Sequence, residues 1–289
     1  MTKTATSVEE QISLLKSRGM IFNCENKAKE LLLDIGYYRL GFYWYFFENK
    51  KHTFKENINF KEVVKLYYLN ADLRHLLIKY LNRIEINFRT KVVYYTSNRY
   101  KQHATWFVHP SAMNRNYIKK FDKIYTDNFK EKNLTIAKHH KRYINDKYAP
   151  AWKTLEYMTF GAIFKTYKNL LDKELKTLIA KEYGLINIKV FQNLMNTLVF
   201  LRNTCAHGGI LYDLQTPLGI INIKNELVFN NNDRHSLDAC IKVMIYILNG
   251  ISQNRATELK NEVNNLFIKY KNNNLLRDII ESKIGFKFT

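Results

Sequence analysis

Three side chains near the middle of the chain, Arg202, Asn203 and His207, have the types and spacing that hydrolytic or phosphoryl chemistry can use. A guanidinium grips a phosphate through parallel hydrogen bonds and keeps its charge at every physiological pH, so it can hold developing negative charge. An imidazole exchanges protons near neutrality. An asparagine can orient either partner or a phosphate oxygen. Together they could supply the general acid-base work and charge stabilisation that cleavage of RNA by its own 2′-hydroxyl requires. A histidine at a helix end also serves as a cap or a packed polar group, so the triplet alone does not decide.

The element that must carry them is the apolar helix before them. Leu194, Leu198 and Leu201 stand at the i, i+4, i+7 spacing of one buried stripe, and Gly208 and Gly209 read as its stop. Five residues turn an ideal helix by about 140°. Arg202 and His207 therefore share a direction only if the helix ends or distorts between them.

RNTCAH, residues 202–207, resembles the Arg-Asn-x-x-Ala-His core of the AbiD/AbiF-type abortive-infection proteins of bacteria. Further blocks resemble the same family in order and spacing: EEQISLLKSRGM (9–20), GYYRLGFYWYFF (36–47), LRHLLIKYLNRIEINFRTKV (73–92) and APAWKTLEYMTFGAIFKTY (149–167). The likeness spans roughly residues 7–213. That family is placed in the HEPN superfamily of all-helical domains, whose members include metal-independent endoribonucleases. The resemblance implies that Arg202 and His207 are catalytic, with Asn203 as the polar residue that follows the arginine. It also implies a homodimer with two motifs facing across a two-fold axis. The chain departs from the family's usual continuation, His-His-x-Arg-Leu-Trp-Asn: Gly208 stands for the second histidine, Ile210 for the arginine, Tyr212 for the tryptophan and Asp213 for the asparagine.

Charge points to a polyanionic partner. Among 289 residues, 46 are Lys or Arg and 26 are Asp or Glu, a net charge of +20. RNA is the expected partner, as substrate and as a regulatory RNA that restrains a toxin. Arg74, Arg83 and Arg89 stand among apolar positions of residues 60–100 and could wall an RNA groove. Glu85 with Arg89 has ion-pair spacing. Lys119, Lys120, Lys123, Lys138, Lys141 and Arg142 crowd a polar segment, 110–148, that reads as a basic helical insertion able to hold phosphates. Its His139-His140 pair lacks a third ligand at useful spacing, and no metal or cofactor is expected. Eight aromatics within residues 37–47 could stack unpaired bases, though core packing explains them as well.

Three cysteines lie far apart, which excludes a disulfide framework and fits a reducing cytosol. No apolar run approaches membrane-spanning length and no signal peptide is visible, so a cytoplasmic protein without a membrane partner is expected. With only 3 prolines and 10 glycines, the pattern predicts an all-α, HEPN-like helical bundle. It reads as one elaborated domain: a core over about 60–213, the insertion at 110–148, and a helical extension over 233–289. Strand-like GIINI and ELVF, within 216–232, allow one small hairpin. The functional expectation is a toxin-like endoribonuclease acting against phage-infected cells. The alternatives are a non-catalytic protein holding a structured RNA and, more weakly, a DNA-binding regulator without a helix-turn-helix signature.

Overall fold

The computed structural model describes residues 4–288. Two short helices lead in, α1 (Val8–Ser17) and α2 (Glu25–Ile35). Ser7 and Glu10 close the capping box read from their spacing, each side chain bonding the other's backbone N–H. The aromatic block folds as α3 (Tyr37–Trp44) and a single 3-10 turn. A two-stranded antiparallel ribbon follows, β1 (Glu48–Lys50) and β2 (Thr53–Phe54).

The element that organises the molecule is α4 (Phe60–Arg99), one continuous helix of 40 residues, about 60 Å long at 1.5 Å per residue. Of the apolar face legible in its sequence, Leu69, Leu73, Leu77, Tyr80, Leu81, Ile84 and Phe88 are buried, and Leu76 is half-buried. Two polar side chains interrupt this stripe, Asn70 and Glu85, both buried.

Three short helices form the basic segment: α5 (Arg115–Phe121), α6 (Asp127–Lys132) and α7 (Leu134–Arg142). They pack around Phe107, Phe121, Tyr125 and Tyr148. The histidine pair is spent on this packing. His139 pairs with Asp146 at 3.0 Å, and Nε2 of His140 lies 2.8 Å from the Tyr125 hydroxyl. The chain then returns to α4 through α8 (Ala151–Thr154), α9 (Phe160–Asn169), α10 (Lys173–Lys181) and α11 (Ile188–Ala206), and finishes with α12 (Leu237–Asn249), α13 (Gln253–Ile268) and α14 (Asn274–Ile279).

The Phe88 ring on α4 meets Phe160, Phe164 and Tyr167 of α9 and Phe191 of α11, with centroids 5.7–6.2 Å apart. This hub fixes α11 against α4, and burial of each such ring is worth about 1.5–3 kcal/mol.

The ribbon does not lie where the strand-like pieces suggested. Residues 216–232 form a pinned loop with one isolated bridge, Ile223 to Leu227. The reason is competition for backbone groups. Asn193 of α11 donates to the Gly219 carbonyl at 3.0 Å and accepts from the Ile221 N–H at 2.8 Å, and the Ile220 N–H goes to the Arg234 carbonyl.

Candidate active site

The end of α11 is built by its glycines. Asn187 caps the start of the helix, and Phe191, Leu194, Met195, Leu198, Leu201 and Cys205 form its buried stripe. The His207 N–H closes the last turn onto the Asn203 carbonyl at 3.0 Å, Gly208 turns left-handed at φ +69°, and the Gly209 N–H returns to Thr204 at 2.8 Å. A Cβ on Gly209 would lie 2.6 Å from the Thr204 methyl, and one on Gly208 would lie 3.3 Å from the Arg74 guanidinium. A second histidine at 208 therefore meets both a strained backbone and an occupied space. Gly208→Ala is expected to destabilise the fold by about 1 kcal/mol, read as a lower urea midpoint; an unchanged midpoint would show that the turn tolerates a side chain.

The segment after the turn is tied to α3 and α4. Arg39 of α3 donates to the Gly208 carbonyl. Asn70 of α4 accepts from the Leu211 N–H at 2.9 Å and donates to the Gly209 carbonyl at 3.3 Å and the Tyr43 hydroxyl at 3.0 Å. The Tyr212 hydroxyl donates to the Leu66 carbonyl. The amide of Asn70 thus substitutes for a ladder of backbone bonds in a buried place, where an unpaired polar group is costly.

Three expected groups stand out from this frame. His207 is exposed, and its imidazole makes no hydrogen bond to any described residue; Asn203 is likewise exposed. Arg202 is half-buried and gives only its Nε, to Glu85 Oε2 at 3.1 Å. Glu85 Oε1 takes Nη2 of Arg89 at 3.0 Å. One buried carboxylate therefore sits between two guanidiniums and holds Arg202 by its stem, leaving both terminal amino groups without a hydrogen-bond partner among the described residues. Arg202 stands near the C-terminal end of α11 and His207 is its C-cap, five residues on, a rise of about 7.5 Å along the helix.

A profile of the family described as Abi-like protein matches residues 30–213, well over half of the chain. The chain belongs to the Abi-like family. Membership ties it to abortive infection in general. No curated protein and no solved structure matches the chain. The family span runs from α2 to the segment tied down after Gly208, so it contains Arg39, Asn70, Arg74, Glu85, Arg89, Arg202, Asn203 and His207. The block at 9–20 and helices α12 to α14 lie outside it. No helix among the described residues is long and apolar enough to cross a membrane.

Within the family span the remaining expected residues separate into two groups. Arg74 comes to the site: its guanidinium flanks Gly208 beside Arg39, and its buried Nε has no hydrogen-bond partner. Arg89, only 12% exposed, braces α4 through Glu85, Glu156 and the Met158 carbonyl. Arg83 is exposed on α4. Lys119, Lys120, Lys123, Lys138, Lys141 and Arg142 are exposed on and beside α5 and α7; Arg142 lies over the Tyr143 ring. Lys79 and Lys91, from the same basic run of α4, are engaged by Glu262 and Glu182.

Cys205, inside the motif, is no nucleophile: burial pushes its thiol up to about 12, against the opposing pull of Arg74. Burial likewise raises the Tyr43 and Tyr212 hydroxyls, which stay neutral, Tyr43 accepting from Asn70 and Tyr212 donating to the Leu66 carbonyl. Sequence reasoning missed Arg39 and Asn70. Each had a signal: Arg39 is the lone cation in an aromatic block, and Asn70 interrupts the Leu66, Leu69, Leu73 stripe.

Proposed function

We propose that this Abi-like protein is a HEPN-type endoribonuclease of the AbiD/AbiF kind, a toxin-like effector that cuts RNA through its own 2′-hydroxyl. The observation that carries the reading is an exposed imidazole, His207, with no hydrogen bond to any described residue, one residue from a carbonyl held by Arg39 and flanked by the Arg74 guanidinium. An anion brought there would meet the positive field of the Arg39 and Arg74 guanidiniums, next to a group able to move protons.

In this reaction the 2′-oxygen attacks phosphorus, the bond to the 5′-oxygen breaks, and the products are a 2′,3′-cyclic phosphate and a 5′-hydroxyl. His207 accepts the 2′-hydroxyl proton or protonates the leaving oxygen. Arg74 and the terminal amino groups of Arg202 stabilise the phosphorane, and Asn203 orients a phosphate oxygen. The nucleophile belongs to the substrate, so the step needs no added metal. One chain offers one motif imidazole for two proton transfers, and Gly208 removes the second. A homodimer with two α11 ends facing across a two-fold axis would restore it.

A second reading, binding of a structured RNA without cleavage, draws on the unpaired lysines of α5 and α7. Substrate chemistry separates the two. In EDTA, an RNA oligomer should be cut and the same sequence made wholly of deoxyribose should remain intact. Cutting of both would remove the 2′-hydroxyl mechanism, and cutting of neither would leave the binding role.

A further inference from the structure

The side of α3 opposite Arg39 carries Tyr37, Gly41 and Trp44. With Arg18 and the turn of the β1–β2 ribbon they enclose a cavity of about 880 Å³. Its lining includes five full cations, Arg18, Lys50, Lys51, Lys55 and Lys283, against one carboxylate, Glu48. Lys50, Lys51 and Lys55 are exposed and make no ion pair among the described residues, whereas Lys283 is compensated by Asp213 at 3.1 Å. Such a set of like charges gathered round one cavity repels itself and is relieved by an anion.

The aromatic wall adds a second preference. Tyr45, on the lining, is 64% exposed and packs edge-on against the Phe46 ring, with centroids 5.7 Å apart. Gly41 is the third feature. It lies inside a helix with ordinary backbone angles, and an added Cβ would meet only the edge of the Trp44 ring at 3.5 Å. Neither the turn nor a clash demands glycine there, and glycine is among the poorest residues for a helix interior. A side chain at 41 would narrow the cavity that this residue lines.

The cavity wall is in contact with the segment that follows the α11 turn. Phe46 on its wall packs on Tyr212, with centroids 5.6 Å apart, and Lys283 on its rim pairs with Asp213. Asp213 lies five residues beyond Gly208, a span of at most about 18 Å of chain. We infer that this pocket binds an unpaired nucleotide of a single-stranded RNA a few positions from the bond that is cut, with its base on Tyr45 and its phosphates on Lys50, Lys51 and Lys55. The placement relative to the cut rests on the ribonuclease reading; the pocket's preference for a single strand does not. Aromatic rings and a basic track are how proteins hold single strands with little regard to sequence.

The test uses the full chain and a fluorescein-labelled twelve-nucleotide oligothymidylate, which lacks the 2′-hydroxyl and is not consumed. Anisotropy is read at about 0.15 M salt, where weak surface attraction is screened. Tyr45→Ala, the pair Lys51→Glu with Lys55→Glu, and Gly41→Leu are each expected to weaken binding tenfold or more, with circular dichroism unchanged. Wild-type affinity in all three pocket variants overturns the proposal. Displacement of the oligomer by micromolar thymidine triphosphate also overturns it, in favour of a free nucleotide, as does equal affinity for a duplex of the same length. Loss of oligomer binding in the pocket variants together with failure of RNA cleavage by wild type would sink the nuclease reading and leave this site standing.

Discussion

His207→Ala is expected to slow RNA cleavage by about 10²–10⁴, the usual worth of a positioned acid-base group, while leaving the fold untouched. The second half of that expectation follows from structure. The imidazole is exposed and bonds to nothing described, and the turn it occupies is closed by its backbone N–H and by the glycines that follow. Substitutions at such positions usually stay within about 0.5 kcal/mol. Single-turnover cleavage of a labelled RNA, alongside a thermal melt of each protein, separates the two effects. A variant that melts like the wild type and cuts at the same rate would remove His207 from the chemistry.

Glu85→Ala is expected to have the largest effect on stability. Glu85 is 5% exposed and takes one bond from Arg89 and one from Arg202. Its removal leaves two guanidiniums, one of them nearly buried, without their shared carboxylate. Breaking a buried pair in this way costs about 3 kcal/mol or more, which for a chain of this size lowers the melting temperature by roughly 6–12 °C. Cleavage should fall as well, because Arg202 is then held by nothing at its Nε. Glu85→Gln keeps the shape and some hydrogen bonding, so it should melt between the two. A Glu85→Ala protein that melts within about 2 °C of the wild type would show that the carboxylate carries little of the α4–α11 contact.

The helices were legible where a local signal existed. The capping box at Ser7, the period of Leu69 to Phe88, and the stop at Gly208 and Gly209 each act within a turn or two, so the residues that cause them are adjacent in the chain. The strand-like residues 219–229 misled because their alternation is a local pattern, whereas their backbone partners belong to Asn193 and Arg234 elsewhere in the fold. The site was legible only in part for the same reason. Arg202 and His207 are near neighbours in sequence. The groups that position their surroundings are not: Glu85 precedes Arg202 by 117 residues, and Arg39 precedes Gly208 by 169. No periodicity within α3 or α4 announces such pairings. For Asn70 the trace is a polar residue interrupting an apolar stripe, which marks that something must satisfy it without saying what; for Glu85 the i,i+4 spacing names Arg89 but not Arg202.

The α11 end also gives the missing second histidine a physical reason. A left-handed turn beside the Arg39 and Arg74 guanidiniums favours glycine at 208 and provides cationic donors there. Whether those donors act on a scissile phosphate is the claim on which everything else rests, and the ends of the cut RNA test it most directly. Wild-type protein incubated with RNA in EDTA should leave 2′,3′-cyclic phosphate and 5′-hydroxyl termini that His207→Ala does not produce. Termini bearing 3′-hydroxyl and 5′-phosphate, or the same cyclic ends in equal yield from both proteins, would contradict it.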